Sequence, residues 1–119
     1  MWLDANGLTG PIPTEIGKLT ELASLSLTNG TLSGKIPSEL GLISGLRRVW
    51  LYNNKLTGEI PLAMQNLTKL EVFEVQDNSL QGDMPRAMCT IVAAQDYNHT
   101  SLTADCGEVN CTNCCTNCD

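Results

Sequence analysis

Apolar residues fall along this chain in a pattern that returns every 24 positions. Leu25 and Leu27, Val49 and Leu51, Phe73 and Val75 form one series, with Met1 and Leu3 in the same phase ahead of them. A second series runs Ile16, Leu19, Leu22, then Leu40, Ile43, Leu46, then Met64, Leu67, Leu70. Between the two stand "LTGPIP" (8–13), "LSGKIP" (32–37), "LTGEIP" (56–61) and "LQGDMP" (80–85). Apolar residues two apart predict a short strand with those side chains on one face. The second series predicts a short helix, and Pro13, Pro37, Pro61 and Pro85 suit its first turn, where a missing N–H is no loss. Glu15 and Glu39 follow at the helix start, where the dipole favours an acid. A unit this small cannot bury its own leucines, so the units must stack.

The form "LRRVWLYNNKLTGEIP" (46–61) resembles the leucine-rich repeat in its plant-receptor-type variant, LxxLxLxxNxLxGxIP. The resemblance covers residues 1–94 as about four units, and it implies an α/β solenoid. The expected shape is a short right-handed coil whose parallel sheet lines a concave face. Asn6, Asn54 and Asn78 occupy the slot where a buried amide bonds backbone groups of neighbouring coils. Gly10, Gly34, Gly58 and Gly82 permit backbone shapes that a Cβ resists. The second unit departs from the pattern: Gly30 fills its Asn slot, with Asn29 one place earlier. Either the amide ladder skips a rung there or the local turn shifts, and this coil is expected to be the loosest. Met1 occupies a strand slot with no capping segment ahead of it, and such an end exposes core, which predicts an N-terminally truncated piece of a longer protein.

Residues 95–119 break the repeat and read as a cysteine-rich C-terminal cap. Met88, Ile91 and Ala94 still mark one helical face before it, and "SLTADC" predicts a last strand. Cys89, Cys106, Cys111, Cys114, Cys115 and Cys118 admit a metal, a redox or a disulfide reading. Zinc knuckles want two C-x2-C pairs about 12–20 residues apart, whereas Cys114 and Cys115 are adjacent. A redox C-x-x-C wants a helix N-terminus in a βαβ setting, which "CTNC" lacks. An even thiol count in a segment with little core of its own favours disulfides and an oxidising compartment, with Cys89 bridging into the tail. No metal or other cofactor is expected. The tail "CTNCCTNC" is similar to the ends of secreted repeat proteins of algae and other stramenopiles. Asn29, Asn66, Asn98 and Asn110 each head an N-x-[ST] triplet, which agrees with a glycosylated extracellular or cell-surface chain.

Charge narrows the partners. The net charge is −6, the acids are scattered, and no Lys/Arg cluster invites nucleic acid or anionic lipid. No apolar run approaches the ~18–20 residues that span a bilayer, so no membrane insertion by this segment is expected. The single His99 heads no catalytic order, and Glu71 and Glu74 lack the pocket a glycosidase needs, so no enzyme is read here.

Positions between the strand leucines point outward, and 24 residues on they recur in the neighbouring strand. One row is Trp2, Ser26, Trp50, Glu74, and the next is Asp4, Thr28, Tyr52, Gln76. Beside them run Ser24, Arg48, Val72 and Ala5, Asn29, Asn53, Asp77. Trp, Tyr and Arg dominate binding interfaces, which makes Trp2, Asp4, Arg48, Trp50, Tyr52, Glu74, Gln76 and Asp77 the candidate ligand-binding face. Cross-strand packing that stiffens an exposed sheet is the plainer role for the same rings. The resemblance implies a protein or peptide ligand, as in plant receptor-like proteins and kinases. Other roles it admits are inhibition of a secreted wall-degrading enzyme, as in the plant polygalacturonase inhibitors, or a structural wall or surface glycoprotein.

Overall fold

The computed structural model describes residues 9–95, 100–105, 109–110 and 117–118. Each 24-residue unit contributes two short strands and one helical turn. In chain order the strands are β1 (Thr9–Pro11), β2 (Ser24–Ser26), β3 (Thr31–Lys35), β4 (Arg48–Trp50), β5 (Lys55–Gly58) and β6 (Val72–Glu74). There follow β7 (Ser79–Leu80), β8 (Gly82–Asp83), the helix α1 (Arg86–Ala94), β9 (Ser101–Ala104), β10 (Val109–Asn110) and β11 (Asn117–Cys118). Every pairing is parallel, as stacked coils require.

The strands predicted from the leucine alternation, β2, β4 and β6, form one sheet with β9 and β11, ordered β11-β9-β6-β4-β2, as the concave sheet of a solenoid is expected to. Its register is the repeat itself: Leu25 faces Val49 and Val49 faces Phe73. "SLTADC" does supply the strand β9, which continues this sheet with Leu102 opposite Phe73. Leu25, Val49, Phe73 and Leu102 are fully buried, one above the next.

A second sheet, β1-β3-β5-β7, was not anticipated. It forms from the LxGxIP segments, and its register slips by two: Gly34 faces Leu56 and Gly58 faces Leu80. The glycines make that possible. Gly34 and Gly58 hold φ of +73° and +78°, a region where a Cβ is strained, and Lys35 lies across the open face of Gly58.

The helical turns are also tighter than the apolar spacing predicts. Thr14–Lys18, Ser38–Leu42 and Leu62–Asn66 are 3-10 helices of five residues each. Pro13, Pro37 and Pro61 precede them as extended N-caps and do not enter the first turn. Only the last, α1, is an α-helix, again behind a proline cap. Glu15 and Glu39 do sit in the first turns. The tight turns let neighbouring coils touch backbone to backbone. A Cβ on Gly17 would stand 2.8 Å from the Glu39 carbonyl oxygen, and one on Gly41 would run into that of Ala63.

Core side chains fill the space between sheets and helices. Leu40, Ile43, Leu46, Met64, Leu67 and Leu70 are wholly buried, with Leu56 and Leu80 from the second sheet beneath them. Leu19 is 40 % exposed, although its equivalents Ile43 and Leu67 are at 0 %, because among the described residues it has a coil on one side only. The single phenylalanine, Phe73, is at the centre.

Candidate functional site

The repeat register sets which outward side chains become neighbours. Ser24 pairs with Arg48 and Arg48 with Val72, while Ser26 pairs with Trp50 and Trp50 with Glu74. Beyond the strand ends, Leu51 N donates to Glu74 O at 2.9 Å and Asn53 N to Gln76 O at 3.0 Å, so Tyr52 lies alongside Gln76. The rows read from the sequence are therefore physical neighbours, about 4.8 Å apart from strand to strand. Trp2 and Asp4 lie outside the described residues.

The face is less open than alternation implies. Trp50, Tyr52, Glu74 and Gln76 are half-buried, and only Arg48 and Asp77 are exposed. Ser26, Thr28 and Thr103, all on outward rows, are buried. These small side chains are thus enclosed on an outward face, and Val72 is buried as well.

Arg48 does not offer its charge freely. Its Nη2 lies 3.6 Å from Glu71 Oε1, and Arg47 Nη1 donates to Glu71 Oε2 at 3.2 Å. Glu71 is only 2 % exposed, so one buried carboxylate holds two neighbouring guanidinium groups at the edge of the sheet. Burial of that carboxylate makes sense only with this pairing. Glu71 precedes Val72 in an outward-reading slot, and nothing in the hydrophobic pattern marks it as buried; the adjacent Arg47 and Arg48 one repeat earlier are the one sequence signal.

At the other margin runs the ladder. Asn54 Nδ2 donates to the carbonyls of Leu27 (2.7 Å), Leu51 (3.1 Å) and Tyr52 (3.3 Å). Its Oδ1 accepts from Gly30 N at 3.1 Å and Leu32 N at 3.3 Å. Asn78 repeats the scheme on Leu51, Val75 and Gln76, and accepts from Leu56 N at 3.0 Å. Just before each slot, Asn29, Asn53 and Asp77 adopt φ of 56°, 60° and 58°. The turn is thus unshifted in the second unit, and of the two alternatives the skipped rung is the one present. Asn53 Nδ2 donates to Asn29 Oδ1 at 2.6 Å along the outside of the same turns.

The ladder ends on a residue that the sequence did not flag. Asp105 accepts from Asp77 N (2.9 Å) and Asn78 N (3.1 Å), backbone donors that in the preceding coil meet carbonyls of the next one. Its signal was its place directly after the last predicted strand.

Among the sulfhydryl and glycan positions, Cys89 is half-buried on α1 against the core, and no described cysteine is free. Cys106, Cys111, Cys114 and Cys115 lie outside the described residues, and Cys118 is placed only as part of β11. Asn66 is exposed at the end of the third 3-10 helix, away from the concave sheet, and Asn29 is exposed at its margin. Asn98 lies outside the described residues and Asn110 is placed in β10. A separate groove of about 560 Å³ opens beside the second sheet, lined by Lys35, Ser38, Glu59 and Gln81 among others.

Comparison with known proteins agrees with this geometry. A family model described as Leucine Rich Repeat matches residues 45–67. No curated protein matches the chain in sequence. Among solved structures, the BIR2 ectodomain from Arabidopsis thaliana is 38 % identical with a TM-score of 0.72, over 74 % of this chain and 46 % of that one. A chain of the BIR3–SERK2 complex from Arabidopsis thaliana is 32 % identical with a TM-score of 0.71, over 75 % of this chain and 48 % of that one. The Arabidopsis receptor kinase HAESA, solved with the peptide hormone IDA and the co-receptor SERK1, is 32 % identical with a TM-score of 0.70, over 72 % and 14 %. The chain thus spans about half the length, or less, of the ectodomains it resembles. Repeat, register and likeness agree on a leucine-rich repeat fold of the plant-receptor type.

Proposed function

We propose that this chain is an extracellular recognition module that binds a protein or peptide through its concave sheet. The observation that carries the reading is the placement of Trp50 and Tyr52, half-buried side by side on the outward face with Glu74 and Gln76 in the next strand. Rings held in this way contribute contact area with little conformational entropy left to lose. Related ectodomains were solved with a peptide hormone or a second receptor chain bound, which supports the same use here. The reading includes Arg48 and Asp77 at the margins, a bridge from Cys89 into the tail, and glycans at Asn66 and Asn29. Asn66 is the acceptor compatible with this face, since it lies away from the concave sheet while Asn29 stands at its margin. No step of the proposal requires catalysis.

Binding to fractionated extracellular peptides and proteins, measured by surface plasmon resonance, tests it. Trp50→Ala is expected to weaken capture at least about tenfold, as truncated interface anchors do, with an unchanged melting temperature. Full binding by a folded Trp50→Ala, Tyr52→Ala double variant would reject the concave face as the recognition surface.

A further inference from the structure

Three large apolar side chains stand open to solvent among the described residues: Leu62 at 70 %, Leu42 at 64 % and Leu19 at 40 %. Leu42 closes the second 3-10 turn, a slot that Lys18 holds in the first turn and Asn66 in the third. Asn66 heads the triplet Asn66-Leu67-Thr68 and is exposed. Among the described residues its side-chain amide engages no neighbour.

The tight turns fix which way each side chain leaves. A Cβ on Gly41 would run into the carbonyl and the Cβ of Ala63, so Ala63 looks back onto the second coil. Residues three apart eclipse in a 3-10 helix, and Asn66 stands three past Ala63 in the same turn. A group carried by Asn66 therefore leaves over the second coil, on the slot of Leu42. Leu62 eclipses Gln65 instead, on another side of that turn.

We propose that an N-linked glycan on Asn66 is a fixed cover for Leu42, its first N-acetylglucosamine lying with one ring face and its acetamido methyl on the leucine. This rests on the glycosylated, extracellular reading and deepens it. In the transfer, Asn66 Nδ2 loses a proton and bonds the anomeric carbon of the sugar. The bond from that carbon to a phosphate oxygen of the polyprenyl-diphosphate donor breaks, and the lipid diphosphate leaves. A pyranose ring presents C–H groups on its faces, so the contact takes apolar area of both partners out of water. A surface glycan without such a seat adds only solvated bulk. Leu62, equally open but on the wrong side, is a control supplied by the fold.

The test is a thermal double-mutant cycle on the full chain secreted from a eukaryotic host, with Asn66 occupancy read by mass spectrometry. Melting temperatures are compared with and without the Asn66 sugar, the bare form being Asn66→Gln, in the parent, Leu42→Ser and Leu62→Ser backgrounds. Since Asn66→Gln is common to all three, its own effect cancels. The sugar is expected to raise the parent melting temperature by about 3 °C, as partial burial of one leucine does in a chain of this size. That gain should vanish in Leu42→Ser and persist in Leu62→Ser. Trimming the glycan enzymatically to one N-acetylglucosamine should keep it, with nuclear Overhauser contacts from the acetamido methyl to the Leu42 methyls. An equal gain in all three backgrounds, or none in the parent, overturns the proposal. A secreted chain unmodified at Asn66 overturns it too, and with it the glycan at that position. Concave-face recognition is untouched by any of these changes, and the Trp50→Ala capture experiment decides it separately.

Discussion

One coil apart, the same slot of the repeat is served in opposite ways. At Asn54 a single side chain meets five backbone groups, two N–H and three carbonyls, from two coils. At Gly30 there is no side chain, and Gly30 itself depends on Asn54 for a partner. The turn around the two is nevertheless alike, with Asn29 at φ 56° and Asn53 at φ 60°. Backbone shape in this fold therefore does not need its own rung. What the rung adds is satisfaction of buried peptides, and its worth depends on how many it reaches.

Three substitutions test that difference. Asn54→Ala orphans the most groups and is expected to cost about 3 kcal/mol in chemical denaturation, since each buried unpaired polar group costs about 1–3 kcal/mol and some relax to water. A loss under about 0.5 kcal/mol, the size of an ordinary surface change, would show the ladder to be ornamental. Asp105→Ala removes the acceptor of two partly exposed N–H groups, those of Asp77 and Asn78, and is expected to cost about 1–2 kcal/mol. Amide exchange at those two residues should quicken while that at Leu32 stays slow. Smallest is Gly30→Asn, which restores a rung. Asn54 and Asn78 each also bond the carbonyls three and two positions before them, so an amide at 30 has those of Leu27 and Thr28 as counterparts. A gain of about 1 kcal/mol in thermal unfolding is expected, partly from the lost freedom of glycine in the unfolded chain. A destabilised variant would mean that the second coil has no room for the amide.

Much of this was legible beforehand because a 24-residue repeat reports each position several times. The strand leucines, the outward rows and the amide slots all follow from phase alone, and the rows Arg48–Val72 and Trp50–Glu74 are paired as that phase requires. Misses occurred where geometry departs from the repeat or is too short to carry a period. A five-residue 3-10 turn shows no helical periodicity, and a proline fits equally well before it or within it. The second sheet was hidden because its partners are offset by 22 residues, as Ser33 with Lys55, while the sequence repeats at 24. Glu71 and Asp105 act through partners in the preceding coil, and the only signals of that in the sequence are indirect: Arg47 and Arg48 one repeat before Glu71, and the place of Asp105 directly after the last predicted strand. On the candidate face, identity was readable but exposure was not: Thr28 was counted outward and is 2 % exposed, because alternation fixes a side chain's direction and not its cover.

The ladder also has a direction in time. Each amide serves the coil before its own, so the peptides of Leu27, Gly30 and Leu32 gain their partner only when residue 54 arrives. On a ribosome adding about 5–20 residues per second, every coil waits one to several seconds for its successor. During synthesis from the N-terminus each unit therefore lacks its last hydrogen-bond partners until the next one is made, and the Asp105 carboxylate supplies those of Asp77 and Asn78.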